Sequence, residues 1–130
     1  MNDSYSYLKA FRHPDVLQSI REGKPSRPMH VDLILSDLCQ QSCKFCSYRM
    51  EGYQSNELFD DKRMMTAEKA YEILEDCKDL GVKGIVFQGG GEPTLHYRFP
   101  EIFAQACAYG NDGVRAALIS NGVRINQELA

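Results

Sequence analysis

The sequence predicts an α/β protein in which a parallel β-sheet is covered by helices, and three observations carry that reading. Three short apolar runs, residues 29–36, 85–88 and 114–119, have the length and content of buried strands. Two segments between them repeat apolar residues at helical spacing. Each run empties into a distinctive loop, the first rich in cysteine, the second in glycine, the third reading Ser120-Asn121-Gly122. Such alternation implies parallel pairing through right-handed crossovers, so the three loops open at the C-terminal edge, where α/β folds bind ligands.

Taken in order, Pro14 at a helix start, apolar Val16, Leu17 and Ile20, and Gly23 as the stop predict a short amphipathic helix. Lys24-Pro25-Ser26-Arg27-Pro28 reads as a linker, which divides the chain into an N-terminal helix and linker over 1–28 and a core over 29–130. Met29 to Ser36, with Val31, Leu33, Ile34 and Leu35, reads as a largely buried strand that delivers the chain into Cys39. From Ser47 to Met65 there is no sustained periodicity, and Gly52, Ser55, Asn56, Asp60 and Asp61 mark an extended loop over or beside the site. Thr66 caps a helix carrying Ala70, Ile73, Leu74, Cys77 and Leu80, and Gly81 ends it. Ile85-Val86-Phe87-Gln88 is a second strand running into Gly89-Gly90-Gly91-Glu92-Pro93. Pro100 opens a further helix with Ile102, Phe103, Ala106 and Cys107 before Gly110, and Val114 to Ile119 is the third strand.

A chain of 130 residues is sized for one folding unit. Its 43% apolar and 25% charged residues are those of a soluble globular protein, with no run approaching the roughly 18 apolar residues that span a bilayer. A net charge of -3 offers no electrostatic footprint for nucleic acid or an anionic membrane. The start Met1-Asn2-Asp3-Ser4-Tyr5 lacks a secretory signal, so a cytoplasmic location is expected. Three parallel strands leave unpaired edges, and Asn126-Gln127-Glu128-Leu129-Ala130 reads as the beginning of another helix. The expectation is a truncated or partial protein, the alternative a small complete α/β domain.

Cys39, Cys43 and Cys46 stand in the spacing C-x-x-x-C-x-x-C, an odd cluster that fits a reduced compartment and a metal site better than a disulfide framework. Thiolates select zinc, copper(I) or iron–sulfur clusters, and the fourth ligand decides among them. A structural zinc site wants a fourth protein ligand, His30 or His96. His30 lies at the far end of the first strand, about six or seven residues at roughly 3.3 Å each from the site, too far, whereas His96 is within reach on the facing loop. Cys77 and Cys107 lie on predicted apolar helix faces and read as small buried hydrophobes.

The cysteine spacing, with aromatic Phe45 just before the last cysteine and a position after the first strand, resembles the radical S-adenosylmethionine superfamily. Gly90-Gly91-Glu92-Pro93 after the second strand is similar to that family's second motif, and Ser120-Asn121-Gly122 resembles its threonine–asparagine–glycine stretch, with serine in place of threonine. In motif style the chain looks closest to the molybdenum-cofactor cyclase and peptide-maturase branches. The resemblance covers residues 29 to 125 and implies the first half of a partial (β/α) barrel, without the later strands that complete the cofactor and substrate contacts. It further implies that Cys39, Cys43 and Cys46 ligate three irons of a [4Fe–4S] cluster whose fourth iron takes the methionine moiety of S-adenosylmethionine. Phe45 would lie beside the adenine, Gly90 and Gly91 would approach the ligand through bare backbone, and Glu92 would meet the ligand ammonium. Ser120 and Asn121 would complete the cofactor site.

The implied chemistry is reductive cleavage to a 5′-deoxyadenosyl radical that abstracts a hydrogen atom from substrate, which requires no protein acid or base. The implied partners are a substrate, an external electron donor such as flavodoxin or ferredoxin, and a C-terminal half supplied separately. The rival from another class is a non-catalytic iron–sulfur or zinc module. Tyr48-Arg49-Met50-Glu51-Gly52-Tyr53, just beyond the cysteines, reads equally well as a substrate contact and as a solvated loop.

Overall fold

The computed structural model describes residues 11–48, 60 and 62–125. Helix α1, Pro14–Arg21, begins at its proline, and Gly23 follows it with φ of 65°. Its apolar face is not buried: Ile20 is 61% exposed, and an ion pair at 2.8 Å ties Asp15 of the helix to Arg27 of the linker.

Strand β1, His30–Leu33, pairs in parallel with β2, Gly84–Phe87, which pairs in parallel with β3, Arg115–Leu118. The order β1-β2-β3 puts the glycine-loop strand in the centre. β1 is shorter than the apolar run that predicts it. Beyond Leu33 the chain leaves the ladder, and Ser36 makes an antiparallel bridge to Met64 instead.

Helix α2, Ala67–Asp79, is capped as the sequence predicts, Thr66 Oγ1 accepting from the Lys69 N–H at 3.3 Å. Replacing Thr66 by alanine removes that acceptor from the helix start. The expected cost is about 1 kcal/mol, read as a lower denaturation midpoint with unchanged slope. Helix α3 runs Phe99–Ala108.

The core lies on one side of the sheet. Leu33, Ile85 and Phe87 from the strands meet Ala70 and Leu74 of α2 and Phe99, Ile102 and Ala106 of α3, all buried. Phe87 sits edge-on to Phe99, ring centroids 6.1 Å apart, and to Phe103 at 5.3 Å. Successive strand side chains point to opposite faces. The other face therefore carries His30, Asp32, Gly84, Val86, Arg115 and Ala117, none of them buried. This corrects the expectation of buried strands: polar His30, Asp32 and Arg115 at alternate positions leave only one face able to bury against helices.

Cys77 is buried as expected, and burial, reinforced by the Asp76 carboxylate, pushes its thiol pKa up. Cys107 is exposed instead. It follows the buried Ala106 by one residue, about 100° around the helix, which turns it out of the packed face. No helix among the described residues is long and apolar enough to cross a membrane.

Candidate functional site

One cavity of about 480 Å³ opens at the C-terminal edge of the sheet, bordered by all three motif loops. Cys39, Cys43, Cys46 and Phe45 come from the loop after β1; Gly90, Gly91 and Glu92 from the loop after β2; Ser120 and Asn121 from the loop after β3. Every residue that the resemblance assigns to the cluster and the cofactor borders this cavity. Tyr48 joins them, while the rest of the adjoining stretch, 49–53, lies outside the described residues.

The loops are bonded to one another through backbone. Gly91 N donates to Ser36 O at 2.9 Å and Glu92 N to Leu38 O at 2.8 Å, so the glycine loop is hydrogen-bonded to the start of the cysteine loop. That contact explains the glycine at 91. A Cβ there would stand 2.2 Å from the Leu38 carbonyl oxygen and 2.5 Å from the Asp37 carbonyl carbon, both main chain. Gly91→Ala is expected to cost about 1–3 kcal/mol and to push the two loops apart, measured as a fall in Tm together with weakened iron uptake.

Glu92 holds the third loop. Only 3% exposed, its Oε1 accepts from Thr94 N (3.1 Å), Thr94 Oγ1 (2.7 Å) and Ser120 Oγ (2.8 Å), and its Oε2 accepts from Asn121 N (2.7 Å). Burial alone would raise its pKa. The Asn121 N–H, the Thr94 and Ser120 hydroxyls and the Thr94 N–H outweigh it and hold the carboxyl below its ordinary value. It borders the cavity and, through these bonds, fixes two loops against each other.

A second carboxylate does similar work for the cysteine loop. Asp37, 6% exposed, accepts from Arg63 Nε at 2.8 Å and from Arg63 Nη2, while its own N–H donates to Arg63 O at 3.0 Å. The two ends of the long segment between β1 and α2 are thereby pinned together at the site's edge.

The cysteine thiols share the cavity without disulfides, each partly exposed. A turn closed by Cys46 N on Cys43 O at 3.0 Å shortens the path between two of them. Among the described residues no three His, Cys, Asp or Glu groups stand close enough to form a ready-made metal site. A metal bound here would itself have to gather the thiols, the usual case where binding and local folding are coupled. The donor set is three soft thiols beside an open cavity, which fits a cluster with one unligated corner. His96, the candidate fourth ligand for zinc, is engaged elsewhere: it is 2% exposed, with Nε2 2.8 Å from Met65 O and Nδ1 accepting from Arg98 N at 3.2 Å.

Asp32, Ile34 and Gln88 also line the cavity, on the uncovered face of the sheet. The signal for them was the strand alternation, which puts these residues on the same side as His30 and opposite Leu33 and Phe87.

Comparison with known proteins agrees with this arrangement. The chain is 28% identical over 92 residues to the Fe-coproporphyrin III synthase of Methanosarcina barkeri, a match covering 71% of this chain and 21% of that protein. It spans about a fifth of the length of the curated relatives it matches. In fold it is similar to Streptococcus suis SuiB, solved bound to precursor peptide SuiA (TM-score 0.64, 21% identity, 99% of this chain and 26% of that one). It is likewise similar to BtrN, solved in complex with AdoMet and 2-DOIA (TM-score 0.61, 17% identity, 78% of this chain and 39% of that one). The family model of the radical SAM superfamily matches residues 33–130, from within β1 through all three motif loops, and the chain belongs to that superfamily.

Proposed function

We propose that this chain binds a [4Fe–4S] cluster through Cys39, Cys43 and Cys46, holds S-adenosylmethionine at the iron these thiolates leave open, and cleaves it reductively for hydrogen-atom abstraction from a substrate. The observation that carries the reading is the single cavity bordered by the three cysteines and by the loops after β2 and β3. When bound, the cluster and S-adenosylmethionine supply the electron transfer and the 5′-deoxyadenosyl radical. The protein's own residues bind, orient and exclude water.

Gly90 lets main-chain groups approach the methionine moiety without a Cβ in the way, and Gly91 seats the same loop against the cysteine loop beside it. Phe45, 84% exposed at the rim, is assigned to the adenine, where a ring face would cover the ligand. Ser120 and Asn121 form the opposite wall, held in place by Glu92. Substrate approaches across the uncovered sheet face, past Asp32 and Gln88. The electron comes from an external donor such as flavodoxin or ferredoxin, the remaining wall from a C-terminal half, and the protein works in the cytoplasm.

The reading is tested by anaerobic reconstitution with iron and sulfide, followed by dithionite and S-adenosylmethionine. Formation of 5′-deoxyadenosine above a cluster-free control is the expected result. A colourless protein that retains zinc and forms none overturns it.

A further inference from the structure

We propose that Asn121 tunes the electronics of the cysteine site: its side-chain amide N–H donates to the Cys39 sulfur and raises the reduction potential of the centre that sulfur ligates. The inference rests on the cluster reading above and assigns Asn121 a role toward the thiolate as well as the cavity.

The amide's direction is fixed by its neighbours. Asn121 Oδ1 accepts from the Val123 N–H at 3.0 Å, an Asx turn, which identifies the other end of the amide as the donor. That donor, Nδ2, is 3.8 Å from Cys39 Sγ and 3.4 Å from Gln40 Oε1. At the root of the side chain, Asn121 N is bonded to the buried Glu92 Oε2 at 2.7 Å. A residue anchored at its backbone and at its carbonyl presents the N–H to sulfur at little further entropic cost.

The consequence follows from charge. One-electron reduction adds a negative charge to an already anionic thiolate-ligated centre, and an N–H aimed at a ligand sulfur stabilises the more negative state. Removing the donor makes reduction harder. Outer groups around a metal ligand are typically worth about 10–100-fold in metal affinity or activity, and hydrogen bonds to ligand sulfurs are among the factors that set a cluster's potential.

The test is a redox titration followed by electron paramagnetic resonance on reconstituted protein, with iron counted in each sample. Asn121→Leu removes the donor; Asn121→Asp keeps the acceptor for Val123 N–H and replaces the donor with an anionic oxygen. Both are expected to keep their iron and to shift the reduction equilibrium about tenfold toward the oxidised form, about 59 mV for one electron. Gln40→Ala, which touches Asn121, is expected to move it far less. An unchanged potential in both Asn121 variants at full iron content overturns the inference and leaves the cluster reading standing. Loss of the cluster from both variants also overturns it, since Asn121 is then structural. A wild-type chain that takes up no cluster removes the cluster reading and this inference together.

Discussion

Alanine in place of any one of Cys39, Cys43 or Cys46 is expected to strip the chain of its iron. A [4Fe–4S] centre needs its three thiolates because each holds one iron through a soft, charged sulfur that no neighbouring side chain replaces. His96, on the facing loop, is the substitute the sequence offers within reach, and both its ring nitrogens are engaged, with Met65 O and Arg98 N. Iron and sulfide content after anaerobic reconstitution should fall by roughly tenfold or more in each variant, because losing a ligand costs at least as much as losing an outer group, whose removal costs about 10–100-fold. Cys107→Ser is the comparison: Cys107 is exposed on α3 and away from the cavity, so this variant should load iron as the wild type does.

Glu92→Ala should be the most damaging change that touches no metal ligand. It deletes the acceptor for four donors at once, two on Thr94 and one each on Ser120 and Asn121. A buried donor left without its partner costs about 1–3 kcal/mol, so a loss of about 3–5 kcal/mol is expected after partial relaxation. Against a typical total stability of about 5–15 kcal/mol this is large. Chemical denaturation measures it.

The same carboxylate sets an acid limit. Its folded pKa lies below the ordinary 4.5, so the stability it contributes is fully present above the unfolded value and is lost as pH falls through the folded one. Stability measured downward from about pH 5 should therefore drop for the wild type and drop less steeply for Glu92→Gln, which cannot ionise.

Much of this was legible in the residues. The three strand–loop units announced themselves because each apolar run ends in residues no strand interior needs: cysteines, consecutive glycines, an Asn-Gly pair. α2 was equally plain, since its cap, its apolar period and its terminal glycine agree. What escaped notice depended on partners distant in sequence. Glu92 reads as a free carboxylate until the fold brings Ser120 and Asn121, twenty-eight and twenty-nine positions later, onto its oxygens. Asp37 and Arg63 have no sequence pattern linking them, yet they bond across twenty-six positions. The uncovered sheet face was legible in principle, from His30, Asp32 and Arg115 at alternate positions. The apolar strength of the facing residues masked it.

The most direct test of the account is the electron paramagnetic resonance spectrum of the anaerobically reconstituted, reduced protein, recorded with and without S-adenosylmethionine. An iron centre with one open corner beside the glycine loop predicts a reduced-cluster signal whose shape changes when S-adenosylmethionine is added. A cluster signal indifferent to S-adenosylmethionine, or a colourless protein that retains one zinc, would contradict it.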